Sequence, residues 1–174
     1  PAGVFHKLKL LTTLYLEENE IETVDEGAFN ELPLLEYLDL RRNKIHTIHD
    51  EAFNKIGSIK NLALSKNKLA DLPPALRTIT NAKNLNLEDN VIVEIPEGFF
   101  SSLKAMQGLN LANNLIESFN DNSFHQLKSL TTLDLSMNRL TDIPDSSFSW
   151  ELGNLQEINF SMNAIRELRQ DMFK

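Results

Sequence analysis

The chain has 174 residues, with 17 basic against 25 acidic ones and a formal net charge of −8. That length suits a single domain, and the acidic balance, with both signs dispersed, argues against nucleic acid or an anionic membrane as partner, because both select basic surfaces. No apolar run approaches the ~18–20 residues of a membrane span, and cysteine is absent.

Residues 1–10 open the chain as the tail of a repeat, with Pro1-Ala2-Gly3-Val4-Phe5 in the pattern P-x-G-x-F. From Leu11 a frame begins that recurs to the end. Leu11-x-x-Leu14-x-Leu16-x-x-Asn19-x-Ile21 is followed by Leu35-x-x-Leu38-x-Leu40-x-x-Asn43-x-Ile45, and the last copy is Leu155-x-x-Ile158-x-Phe160-x-x-Asn163-x-Ile165. The asparagines Asn19, Asn43, Asn67, Asn90, Asn114, Asn138 and Asn163 step by 24, 24, 23, 24, 24 and 25 residues. These intervals divide the chain into repeats at 11–34, 35–58, 59–81, 82–105, 106–129, 130–154 and 155–174. A period of this size signals stacked units that share one core.

Each repeat has a second half as regular as the first. Ile21, Val24, Phe29 and Leu32 have their later equivalents in Leu140, Ile143, Phe148 and Leu152. The aromatic row runs Phe5, Phe29, Phe53, Leu76, Phe100, Phe124, Phe148 and Phe173. Two repeats depart from the frame. The third is a residue short and carries Pro73-Pro74, which fixes the backbone and removes two donors. The sixth is a residue long, and Trp150, the only tryptophan, falls in the extra length.

The frame has a physical reading. In L-x-x-L-x-L the last two apolar positions share one side of an extended strand, so the residues between them face the other way. Each strand needs its neighbours to bury that apolar side, and equal connections make the sheet parallel. The asparagine stands where the chain leaves the strand, and its amide can satisfy backbone groups of both signs. A scaffold role is therefore expected for the asparagine ladder.

The pattern LxxLxLxxNxLxxLPxxxFxxLxx resembles the 24-residue form of the leucine-rich repeat family, common in extracellular proteins and receptor ectodomains. The resemblance covers the whole chain and implies an α/β solenoid. It would be a horseshoe segment of about seven repeats, with a parallel concave sheet and a convex side of loops and short helices. Extracellular members usually carry cysteine-rich caps, and an internal segment of a longer protein is the expectation here. Val4, Phe5 and Leu8 at one end, and Leu155, Ile158, Phe160 and Phe173 at the other, would expose apolar surface, so end-to-end association is expected of an isolated piece.

The family's usual recognition surface is the concave sheet. Its central outward row should be Tyr15, Asp39, Ala63, Asn86, Asn110, Asp134 and Asn159. The first two repeats bring together Tyr15, Glu17, Glu18, Tyr37, Asp39, Arg41 and Arg42, including both tyrosines of the chain. Tyrosine and arginine bury much area while keeping polar handles, so this cluster is the candidate partner-binding site. A plainer alternative is a Glu17–Arg41 surface pair beside two partly buried tyrosines. Met137 and Met162, in repeated Ser-Met-Asn triplets, and Trp150 are secondary contact candidates. The middle of the sheet, with Asn84, Asn86, Gly108 and Asn110, reads as plain repeat surface. Asn159-Phe160-Ser161 is a glycosylation sequon on a strand position.

Catalytic chemistry finds no support. His46 and His49 flank an apolar Ile48 and have no third histidine near, which is too few ligands for zinc. Phosphate loops and nucleophile elbows are absent from the sequence. No cofactor or metal is expected. The reading is a non-catalytic region of an extracellular or cell-surface adhesion molecule or receptor, presenting its sheet to a protein partner without nucleic acid binding or membrane insertion. Alternatives are a Toll-like innate-immune ectodomain segment, or a structural matrix protein that assembles through its ends.

Overall fold

The computed structural model describes residues 4, 5, 7–145, 147, 148 and 152–170. Pro1, Ala2, Gly3, Trp150 and Phe173, all singled out above, lie outside the described residues. The strands are β1 (Thr13–Tyr15), β2 (Thr23–Val24), β3 (Tyr37–Asp39), β4 (Thr47–Ile48), β5 (Asn61–Ala63), β6 (Asn84–Asn86), β7 (Gly108–Asn110), β8 (Thr132–Asp134) and β9 (Glu157–Asn159). Seven of them form one parallel sheet in the order β1-β3-β5-β6-β7-β8-β9. The register aligns Leu14, Leu38, Leu62, Leu85, Leu109, Leu133 and Ile158 across it. These face inward and are buried from Leu38 to Leu133, while Leu14 and Ile158 at the two edges are partly buried. The repeats stack as a solenoid whose concave face is this sheet.

The asparagines bind the coils to one another. Asn67 is representative: its Nδ2 donates to Leu64 O (2.9 Å) and Ser65 O (3.3 Å) of its own turn and to Leu40 O (3.0 Å) of the preceding one. Its Oδ1 accepts the Ile45 N–H at 3.0 Å. The same 3.0 Å acceptance joins Ile21 to Asn43, Leu69 to Asn90, Ile92 to Asn114, Ile116 to Asn138 and Leu140 to Asn163. One side chain thus bonds donors and acceptors on two repeats, and the turn would bury the Ile45 N–H unpaired without it. Asn19 is the exception: it is exposed and, among the described residues, donates only to Leu16 O and Glu17 O.

The residue just before each asparagine is left-handed: Glu18, Arg42, Lys66, Asp89, Asn113, Met137 and Met162 have φ between 51° and 58°. A non-glycine residue there costs roughly 1–2 kcal/mol. The turn is held from outside, because the N–H of Arg42 donates to Ser65 O (3.0 Å), that of Lys66 to Glu88 O (2.9 Å) and that of Met137 to Ser161 O (2.9 Å). The stack dictates the conformation and the side chain follows it to the rim.

On the convex side the phenylalanines stack, with centroids 6.1 Å apart for Phe29–Phe53, Phe100–Phe124 and Phe124–Phe148. Leu76 interrupts the row, and a 3-10 helix, Pro74–Thr78, occupies the shortened third repeat. Next to the gap the Arg77 guanidinium lies 4.7 Å from the Phe99 ring centroid. The convex side also carries a small parallel sheet, β2 with β4, beyond the loops and short helices expected of it. His49 N–H donates to Val24 O at 2.9 Å to extend that pairing. The equivalent position one repeat later is Pro73, which has no N–H to give, so the small sheet stops there.

At the ends, Val4 and Leu8 are exposed while Phe5, Leu155, Ile158 and Phe160 are partly buried against the core.

Candidate functional site

The aromatic cluster is assembled by strand register. Tyr15 lies opposite Asp39 and Thr13 opposite Tyr37 in the β1–β3 pairing, so the two tyrosines are diagonal neighbours on the outward face. Their ring centroids are 5.5 Å apart with planes tilted by 49°, within the range of favourable aromatic pairing. Tyr15 leaves 64% of its surface exposed, and Tyr37 is half-buried beneath it.

Arg41 forms the charged flank. Its Nε donates to both Asp39 oxygens at 2.9 Å, and its Nη2 donates to Asp39 Oδ2 at 2.6 Å and to Glu17 Oε2 at 2.9 Å. The Arg41 backbone N–H also donates to Asp39 Oδ1, at 3.0 Å. The guanidinium is therefore held between two carboxylates on adjacent repeats, a geometry suited to its planar fork. Asp39 departs from its expected role: its side chain is 0% exposed, so it positions Arg41 and has no surface to offer a partner. The physical reason is the Arg41 guanidinium, which with the Tyr37 hydroxyl closes over a carboxylate already turned onto the Arg41 N–H.

The electrostatics follow from that arrangement. Burial acts to raise the Asp39 carboxyl, but the hydrogen bonds from Arg41 outweigh it and hold the group below its ordinary value. The same hydrogen bonds raise Arg41 further. Tyr37 is raised first by burial and then by the Asp39 charge beside its hydroxyl. At neutral pH the site is a fixed carboxylate–guanidinium pair next to the neutral Tyr37 phenol.

Glu18 and Arg42 form a separate ion pair on the left-handed rim, outside the aromatic cluster. With both side chains exposed, this pair adds little stability. Sequence reasoning missed a feature beside the cluster. Ala63, small at a central-row position, leaves a hollow of about 200 Å³ bounded by Tyr37, Arg41, Asn61, Asn84 and Asn86. An alanine between larger outward residues was the available signal.

Among the other candidates, Met137 and Met162 hold equivalent rim positions on neighbouring repeats, and Met162 is 72% exposed. Asn159 sits on β9 with its Nδ2 donating to Asp134 Oδ2 (3.2 Å) and its Oδ1 accepting from Ser161 N–H (3.0 Å) and Oγ–H (2.8 Å). His46 Nδ1 contacts Thr47 Oγ1 at 3.0 Å, and His49 Nδ1 accepts the Glu51 N–H at 3.2 Å. Among the described residues no group of three or more histidine, aspartate or glutamate side chains is placed to hold a metal. No described helix is long and apolar enough to cross a membrane.

A leucine-rich repeat family model matches residues 1–45, 35–77, 80–140 and 128–174. The chain belongs to the leucine-rich repeat family. No curated protein matches it. Among solved structures, the TLR13–ssRNA13 complex contains a similar chain, with a TM-score of 0.90 and 29% sequence identity over 97% of the present chain. The match spans 24% of the TLR13 chain in that structure, so this region corresponds to about a quarter of that chain's length. This region's repeats resemble those of that TLR13 chain.

Proposed function

We propose that this region is a non-catalytic, protein-binding stretch of an extracellular adhesion molecule or receptor, and that the Tyr15, Tyr37, Glu17 and Arg41 cluster is its main contact. The observation that carries this is the pre-organised platform: an exposed Tyr15 resting on Tyr37, with Arg41 already clamped by Asp39 and Glu17. Little side-chain freedom remains to be lost when a partner docks, and aromatic and arginine anchors are the residues that dominate interfaces. The hollow over Ala63 gives an incoming side chain a place to seat. Glu18 and Arg42 form the polar rim, and Met137 and Met162 supply adaptable apolar contact farther along the same edge. A glycan on Asn159 would have to be attached before its amide docks on Asp134, and would leave the N-terminal cluster open.

The likeness to TLR13 favours a second reading, a segment of an innate-immune recognition ectodomain. TLR13 is seen with single-stranded RNA, but the −8 charge of this chain opposes a polyphosphate ligand.

The test is to screen the full chain by surface plasmon resonance against a panel of purified extracellular domains, with single-stranded RNA as a parallel probe. A Tyr15→Ala/Arg41→Ala variant is run beside it. The proposal expects a protein binder whose affinity falls by about a hundredfold in the variant, as for a hot-spot pair near 3 kcal/mol. It is overturned if no domain binds, if the variant binds as well as the parent, or if RNA alone binds with a steep salt dependence.

A further inference from the structure

The middle of the concave sheet carries a second surface that the aromatic cluster does not use. Strands β6 to β9 frame a shallow groove of about 360 Å³. Gly108 sits at its floor between two polar side chains: a Cβ there would stand 2.7 Å from Asn84 Oδ1 and 3.2 Å from Thr132 Oγ1. A larger residue would push these groups apart, whereas glycine lets the Asn84 amide and the Thr132 hydroxyl converge over the strand.

The central row over this groove is locked in one sense. Asn86 Oδ1 accepts the Glu88 N–H and Asn110 Oδ1 the Ala112 N–H, each at 2.9 Å. Asp134 Oδ1 accepts the Ser136 N–H at 2.8 Å. Each turn commits one oxygen to the chain's own exit from the strand and leaves the other head atom over the sheet. Asn86 Nδ2 has no hydrogen-bond partner among the described residues, and Asn110 Nδ2 reaches only Glu88 Oε2, at 3.4 Å. Beside them, Asn84 spends its Nδ2 on Asn61 Oδ1 at 2.7 Å, which leaves its Oδ1 above Gly108 as an acceptor. Donors (Asn86, Asn110) therefore alternate with acceptors (Asn84, and Asp134, whose Oδ2 also takes the Asn159 Nδ2 at 3.2 Å) around Gly108, with the Thr132 hydroxyl able to act as either.

We propose that this groove is a binding site for a neutral saccharide chain. A sugar hydroxyl both donates and accepts, so it can pair with whichever head atom it meets in this mixed array. Phosphorylated or sulfated ligands are disfavoured by Asp134, Glu88 and Glu157, which leave the groove negative. An extended peptide is the weaker fit, because peptide grooves pair backbone recognition with apolar pockets for alternate side chains. Here the apolar residues of the lining, Leu85, Leu109 and Leu133, are buried beneath the strands.

The site is tested by ¹⁵N NMR titration of the full, unglycosylated chain with hexasaccharides of the β-glucan, mannan and chitin types, and with an uncharged Gly-Ser peptide of similar length. The expected result is saturable shifts of the amides of 84–86, 108–110 and 132–134 with at least one saccharide at millimolar concentration. Gly108→Leu, which pushes the Asn84 and Thr132 groups apart, and Asn86→Asp, which keeps the turn but replaces the outward donor with an acceptor, should each weaken binding about tenfold or more. Tyr15→Ala should leave it unchanged. The proposal is overturned if no saccharide moves these amides, if the peptide moves them and the saccharides do not, or if both groove variants bind like the parent.

Discussion

Asn67→Ala is the sharpest probe of what holds the coils together. Asn67 is buried and makes three donations and one acceptance. The carbonyls it serves are not orphaned by its loss: Leu40 O also accepts from Asn43 Nδ2, Leu64 O from Asn90 Nδ2, and Ser65 O from Arg42 N–H. Ile45 N–H differs, because Asn67 Oδ1 is its acceptor in a residue that is itself fully buried. An orphaned buried donor costs about 1–3 kcal/mol, and the lost side-chain bonds add about 1 more, so a total near 3 kcal/mol is expected. Asn19→Ala is the internal control, since Asn19 is exposed and, among the described residues, donates only within its own turn; about 0.5 kcal/mol is expected there. Urea unfolding followed by circular dichroism reads the two values, and hydrogen exchange at Ile45 reads the mechanism. Equal costs for the two variants, or an unchanged Ile45 exchange rate in Asn67→Ala, would refute the argument.

Two further substitutions probe the site and the rim. Asp39 has a folded-state pKa below its unfolded one, so its contribution is fully present above the ordinary carboxylate value and fades as pH falls through the lowered one. Asp39→Asn should therefore cost about 1–2 kcal/mol at pH 7, the Arg41 partner being partly exposed. That deficit should shrink below about pH 4; urea midpoints that keep the same gap at pH 7 and pH 3 would contradict this. Met137 occupies a left-handed site with φ 55°, and Met137→Asn should raise stability by roughly 0.5–1 kcal/mol because asparagine tolerates that conformation better. An unchanged or lowered melting temperature counts against it.

The scaffold was legible because each element of it is over-determined. Leu14, Leu38 and Leu62 at a fixed step force strands into register, and a buried polar ladder at the same step has few uses besides satisfying backbone. What stayed hidden has specific causes. The left-handed rim could not be read from Lys66 or Met137, because neither residue favours that conformation; bonds from the next repeat impose it. The β2–β4 pairing had a faint signal in Thr23-Val24 and Thr47-Ile48, two β-branched pairs one repeat apart, but a two-residue strand falls below what alternation can show. The burial of Asp39 was invisible because sequence places it on the outward face; its turn onto the Arg41 N–H has a counterpart in Asp134, and only the Arg41 guanidinium lying over it takes the carboxylate out of solvent.

The same turn explains why composition alone left the middle of the sheet undecided. Asparagine or aspartate in the central row at positions 86, 110 and 134 serves the fold with one head atom and faces outward with the other, so its presence fits a plain repeat and a binding groove equally well. Two surfaces of different chemistry then share one sheet, aromatic and charged on β1 and β3, polar around β7. Tyr15 on β1 and Gly108 on β7 are four strands apart in the sheet order, or about 19 Å at ~4.8 Å per strand. Sites so separated should act independently. If each surface has its own ligand, Tyr15→Ala should affect only the protein partner and Gly108→Leu only the saccharide, and the double variant should show both losses and no more. A single extended ligand spanning both surfaces would instead make each substitution weaken the same binding event. That pattern would replace two proposals with one.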